Sequence, residues 1–203
     1  MKIIELCNLT KKYKNPVLKN ISYCFLKGKT YLVTGENGSG KTTLIKLILG
    51  LINPSKGYIK KDYFSVSYVP DNLSFPEFLS INSFLYNLGL IYKIDKLYLK
   101  EKMNKQLDIW MLDGNYKLNE LSKGMRQKVL LVQAMLHDGN IYIFDEPLNG
   151  LDKDMQQLYF KQIKHLKTKN KTIIIITHQK DKFMKEVDFV LKIENGFLNE
   201  ELN

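Results

Sequence analysis

Eight residues, Gly35-Glu36-Asn37-Gly38-Ser39-Gly40-Lys41-Thr42, carry the spacing G-x-x-x-x-G-K-[ST]. A loop that wraps a triphosphate must bring backbone N–H groups within hydrogen-bond reach of anionic oxygens. Gly35, Gly38 and Gly40 lack the Cβ atoms that would block this approach, and they accept positive φ. Lys41 can reach β and γ oxygens, and the Thr42 hydroxyl is a ligand for Mg²⁺. Asn37, Ser39 and Thr43 complete the predicted ATP-binding set. A helix starting at Thr42 sets its positive end beneath the phosphates.

Two more segments carry chemistry. Ile141-Tyr142-Ile143-Phe144 reads as a buried strand that delivers Asp145 and Glu146 to its C-terminal end, where parallel sheets bind ligands. Asp145 would hold Mg²⁺ through water, and Glu146 would position and polarise the attacking water. Leu121-Ser122-Lys123-Gly124-Met125 places a serine where an N-cap belongs, ahead of a helix starting near Met125. A hydroxyl, a glycine and a helix N-terminus together make an anion site. The chain already has one phosphate loop, so this second site needs a second phosphate.

The elements that position these groups alternate. Strand character runs over 3–9, 22–26 and 30–34, the last leading straight into the glycine loop. A helix over 42–51 presents Leu44, Ile45, Leu47, Ile48 and Leu51 on one face, and turn chemistry at 53–57 stops it. Short strands follow at 58–59 and 66–69. From 72 to 139 the spacing is helical. Strand 141–144, helix 153–167 and strands 172–177 and 187–193 complete the pattern, with the turn Glu194-Asn195-Gly196 ending the fold. Apolar strands alternating with helices predict a parallel sheet covered on both faces, with the helical middle inserted into one α/β domain.

Composition narrows the partners. The 203 residues fit a single domain of 1–203, and the formal charge is +10. Of 31 basic residues only Arg126 is an arginine. Base and phosphate recognition favours arginine's planar fork, so a lysine-only surface argues against nucleic acid. Cys7 and Cys24 lack metal or redox spacing and read as buried free thiols of a reducing cytosol. No apolar run approaches a bilayer span, so a soluble protein is expected, with any membrane role supplied by a partner. His137 and His165 read as helix-surface residues.

Over nearly its whole length the chain resembles an ATP-binding cassette (ABC) subunit, with six of that family's motifs in order. The resemblance makes Tyr13 the aromatic residue that stacks on adenine. It makes Ser122, Lys123, Gly124 and Met125 the signature that contacts the opposite subunit's ATP, and 148–152 the loop after the catalytic carboxylate. His178 matches the switch histidine that joins Glu146 in catalysis by contacting the γ-phosphate. The implied fold is an α/β P-loop NTPase core with a mixed sheet, an N-terminal antiparallel β subdomain and an inserted helical subdomain. Implied cofactors are ATP and Mg²⁺. Implied partners are a second copy, or a homologous ATPase subunit, and membrane-spanning permease subunits, which place the chain peripherally on the cytoplasmic face.

The signature's lysine form, followed by Met125-Arg126-Gln127-Lys128, resembles subunits serving exporters of peptides, antibiotics or drugs. A soluble ATP-gated interaction module without a permease is the alternative. Two-cassette translation factors need a second phosphate loop, coiled-coil chromosome ATPases need sustained heptads, and a small kinase would not need Ser122 to Met125 or His178. At Asp71, in Tyr68-Val69-Pro70-Asp71, many family members carry glutamine. Asp71 is therefore expected as a metal ligand, with a turn residue as the competing reading. The aromatic stretch after it, Phe75 and Phe78 foremost, is expected either to dock the permease or to fill the helices' own core.

Overall fold

The computed structural model describes residues 1–63 and 65–201. Its elements are β1 (Lys2–Lys12), β2 (Pro16–Leu26), β3 (Thr30–Thr34), α1 (Lys41–Leu49), β4 (Lys56–Lys61), β5 (Val66–Val69), α2 (Ile81–Ile91), α3 (Lys96–Ile109), α4 (Lys123–Leu136), β6 (Ile141–Asp145), α5 (Lys153–Thr168), β7 (Thr172–Ile176), β8 (Phe189–Glu194) and β9 (Phe197–Glu201). They form two sheets. One is antiparallel, in the order β2-β1-β4, and the other runs β5-β6-β7-β3-β8-β9. All pairs in the second sheet are parallel except β8 with β9.

Strands β3, β6 and β7 are buried along their whole length, which is why they read as unbroken apolar runs. Period-two geometry sends alternate side chains to opposite faces. Ile173 and Ile175 join a core with α4, α5 and the helices inserted between β5 and β6. Ile174 and Ile176 join a second core with α1 and the antiparallel sheet. The sheet is therefore a central layer whose strand ends are fixed from both sides.

Several expectations need correction. The turn at 194–196 does not end the fold, because β9 follows and pairs with β8 from Val190↔Glu201 to Glu194↔Phe197. Helix α1 begins one residue before Thr42 and stops at Leu49, where Gly50 adopts φ 77 as C-cap. Strands β2 and β4 are longer than their apolar cores, since hairpin pairing carries polar residues along. Cys7 and Cys24 are free but only partly buried. His165 is exposed on α5, as expected. His137 is half-buried instead of open on the helix surface. It caps the C-terminus of α4, its ring stacks on Tyr92 at 4.3 Å, and its carbonyl accepts from Ser67 Oγ at 2.8 Å.

Candidate active site

The phosphate loop leaves β3 and enters α1 through Gly40, which has φ 111 and offers no side-chain cap. The first turn of α1 carries no acidic residue, so its N–H groups and positive dipole end face the cleft uncompensated. At Gly35, with φ 147, a Cβ would lie 2.5 Å from the Ile193 carbonyl oxygen, so glycine is required by space as well as by conformation. Gly38 has open space around it and needs only its φ of 80. Lys41 Nζ donates to the Gly35 and Glu36 carbonyls at 2.7 and 2.8 Å. The buried Ser39 hydroxyl has no hydrogen-bond partner. A loop with spare donors and an orphaned hydroxyl suits phosphate oxygens.

The cleft above this loop encloses about 600 Å³. Asn37, Gly38, Gly40, Lys41, Thr42 and Thr43 line one side, and Asp71, Asp145 and Glu146 the other. Burial, then the charges of Asp71 and Glu146, push Asp145 up to about 6, with Lys41 opposing. A cation among these carboxylates would relieve the repulsion. The donor set thus fits Mg²⁺, with Thr42 and Asp145 able to hold it and Asp71 beside them.

Glu146 follows β6 with φ 49, a left-handed conformation that costs a non-glycine residue about 1–3 kcal/mol. Its N–H donates to the Ile176 carbonyl at 2.8 Å, and its own carbonyl accepts from Asn149 N–H at 3.1 Å. These bonds fix the turn that frees the carboxylate from the strand. Oε2 accepts from Thr177 Oγ1 at 2.8 Å, and Oε1 accepts from the His178 backbone N–H at 3.0 Å. His178 Nδ1 lies 2.8 Å from Oε1. With Glu146 ionised, Nδ1 carries the proton that completes this contact. Thr177 was not singled out from the sequence. Its signal is a hydroxyl between four isoleucines and a histidine at a strand's C-terminal end.

The family model described as ABC transporter matches residues 18–149. An uncharacterised ABC transporter ATP-binding protein of Methanocaldococcus jannaschii is 33% identical, over 95% of this chain and 74% of its own length. The chain belongs to the ABC transporter family. A zinc import ATP-binding protein of Wigglesworthia glossinidia brevipalpis is 32% identical over 97% of this chain and 84% of that one. The solved structure of an ATP-binding subunit of an ABC transporter superposes with TM-score 0.92 at 25% identity, covering 98% of this chain and 89% of that one. This chain is thus the ATP-binding, ATP-hydrolysing subunit of an ABC transporter, and its mixed α/β architecture is that of the family. No helix among the described residues is long and apolar enough to cross a membrane.

In this ABC cassette the remaining predicted residues fall in different places. Ser122 caps α4, its Oγ accepting from Met125 N–H at 3.2 Å. Ser122 and Lys123 are exposed, Gly124 and Met125 are half-buried, and none of the four lines the cleft. A Cβ on Gly124 would lie 2.5 Å from the Gly150 carbonyl oxygen. That glycine therefore serves contact within the chain as well as any approach to phosphate. Gln127, buried, donates to the Pro147 carbonyl at 3.0 Å and further ties the 147–151 loop to α4. On the loop's other side Asn149 Nδ2 donates to Asp71 Oδ1 at 2.9 Å. Both lie in stretches the sequence marks out, but these contacts of their side chains were not foreseen.

Tyr13 is not brought to the cleft. It sits in the β1–β2 turn, exposed, with Lys11 Nζ 5.1 Å from its ring centre, and Val17 of the same hairpin lines the cleft instead. The aromatic pair after Asp71 divides. Phe75 is buried edge-on against Phe84 at 5.3 Å, whereas Phe78 is 89% exposed. A docking surface therefore has Phe78 at its disposal and not Phe75. Phe75→Ala should cost about 3–5 kcal/mol of stability. Phe78→Ala should leave the melting temperature within about a degree and weaken recovery with membranes. An unchanged membrane fraction for Phe78→Ala places docking elsewhere.

Proposed function

We propose that this subunit powers an exporter of peptides, antibiotics or drugs, working as a head-to-tail pair of cassettes beneath a membrane-spanning permease on the cytoplasmic face. The observation that carries the pairing is the placement of two anion sites. The phosphate loop faces its own cleft, while the capped N-terminus of α4 lies outside it, exposed and available to a second copy's ATP. Each composite site then uses Lys41, Thr42, Asp145, Glu146 and His178 of one copy with Ser122 to Met125 of the other. ATP binding closes the pair and hydrolysis reopens it. Residues 1–203 act as one domain, with 72–139 as the helical subdomain that receives the permease.

The exporter direction is supported by the lysine-form signature and the Met125-Arg126-Gln127-Lys128 run. The zinc-import name belongs to a relative and sets no direction here. Identifying the polypeptide that co-purifies from membranes tests the assignment. Uptake of cargo into inside-out vesicles with ATP supports export, and loss of cargo from them refutes it. A chain that never recovers with membranes supports the soluble module instead.

Asp71 belongs to this proposal as a metal ligand, direct or through water. Its carboxylate accepts and cannot donate, and it already raises Asp145 by its charge. Its negative charge beside a γ-phosphate is tolerable only with Mg²⁺ between them. Hydrolysis by the wild type should therefore depend more steeply on Mg²⁺ than hydrolysis by Asp71→Gln. Superimposable Mg²⁺ titrations reduce Asp71 to a hinge residue.

A further inference from the structure

On the flank of the molecule, away from the phosphate loop, α3 and α5 face each other without closing together. Helix α3 buries Leu99, Met103 and Leu107 among the inserted helices. An adjacent stripe of the same helix, Tyr98, Lys102, Lys105 and Gln106, lines a cleft of about 530 Å³ whose far wall includes Lys169 at the end of α5. That volume lies in the range of small-molecule pockets. Helices in contact ordinarily bury apolar stripes, so a polar and basic stripe across a gap is not built for packing.

The charge in this cleft is unbalanced. Lys102 is half-buried, and no carboxylate of the described residues lies within ion-pair distance of it. The wall carboxylates are Glu101 and Asp138, and Asp138 is already paired with Lys171 at 2.9 Å. Burial, then repulsion from Lys169 and Lys171, lowers the Lys102 pKa, with Asp138 opposing. Gln106 Oε1, also on this wall, is buried and has no hydrogen-bond partner. Partly desolvated Lys102, with exposed Lys105 and Lys169 beside it, calls for an anion, and an orphaned amide oxygen calls for a donor such as a hydroxyl.

We propose that the α3–α5 cleft binds a small soluble phosphate ester carrying hydroxyl groups, with Lys102, Lys105 and Lys169 on the phosphate and Gln106 on a hydroxyl. Because α3 lies between β5 and β6 and α5 follows β6, an occupant joins the inserted helices to the core. The site is separate from the phosphate loop and does not depend on the direction of transport.

The test uses the full chain with a non-hydrolysable ATP analogue saturating the phosphate loop. Resonances of labelled Tyr98 and of the Met135 methyl, which also lines the cleft, are followed by NMR. Glycerol phosphate and inorganic phosphate are titrated against sodium chloride at matched ionic strength. Saturable shifts at Tyr98 and Met135 with the ester, weakened at least tenfold in Lys102→Met, support the site. A response equal to that of chloride, or unchanged affinity in Lys102→Met, overturns it. Shifts produced only by vesicles containing phosphatidic acid overturn the soluble ester. Lys102 has no ion-pair partner and its removal loses only a contact with the exposed Tyr98 ring at 5.5 Å, so Lys102→Met should melt within about 3 °C of the wild type; a fall of more than about 5 °C makes Lys102 structural and also overturns the proposal.

Discussion

Glu146→Gln should hold ATP and almost cease to turn it over. The amide keeps the size of the side chain and the left-handed backbone at this position. Its one oxygen can take the His178 backbone N–H that now reaches Oε1, and its NH2 can donate to Thr177 Oγ1, which then accepts instead of donating to Oε2. What it removes is the charge that polarises water, a contribution of roughly a hundredfold to ten-thousandfold in rate. Lys41 and the phosphate loop are untouched, so nucleotide affinity should stay within about twofold. Single-turnover hydrolysis and equilibrium binding measured side by side decide this. Wild-type turnover would remove Glu146 from catalysis. His178→Ala should also slow turnover, but less, since Thr177 and the backbone N–H still hold the carboxylate.

The legible part of this cassette was whatever short sequence range can encode. The phosphate loop, the acidic end of β6 and the Ser122 cap each depend on residues within a few positions of one another, and each took its expected local form. The sheet was legible because buried parallel strands need unbroken apolar runs, as in β3, β6 and β7. Strand β9 was missed because its residues, FLNEE, are exposed or only half-buried and owe their strand form to pairing with β8. Thr177 beside Glu146, and the Asn149 bond to Asp71, were missed for a related reason. Asp71 and Asn149 are 78 positions apart, and only the folded sheet brings them to 2.9 Å. His137 sits on a helix end that would face water if Tyr92 and Ser67 did not close over it. Tyr13 stays exposed in the β1–β2 turn, a place set by the hairpin and not by the packing of the core.

Ser122→Arg should abolish ATP-driven pairing, and its comparison with Ser122→Ala separates two roles that one serine carries. Both variants lose the Oγ that accepts from Met125 N–H, at a cost of about 1 kcal/mol to helix α4. That cost should appear equally in both melting temperatures. Arg126, the only arginine of the chain, cannot replace the cap, because a guanidinium only donates and Met125 N–H needs an acceptor. Alanine leaves the α4 N-terminus open, with its free N–H groups still able to meet a partner's phosphate. Arginine fills that space with a long side chain and blocks the approach. In a Glu146→Gln background with ATP and Mg²⁺, the Ala variant should still form a dimer by light scattering. The Arg variant should remain monomeric at concentrations at least tenfold higher, while binding one nucleotide per chain normally. If the Arg variant dimerises as well as the Ala variant, Ser122 is a helix cap and nothing more, and the pairing of cassettes must use another surface.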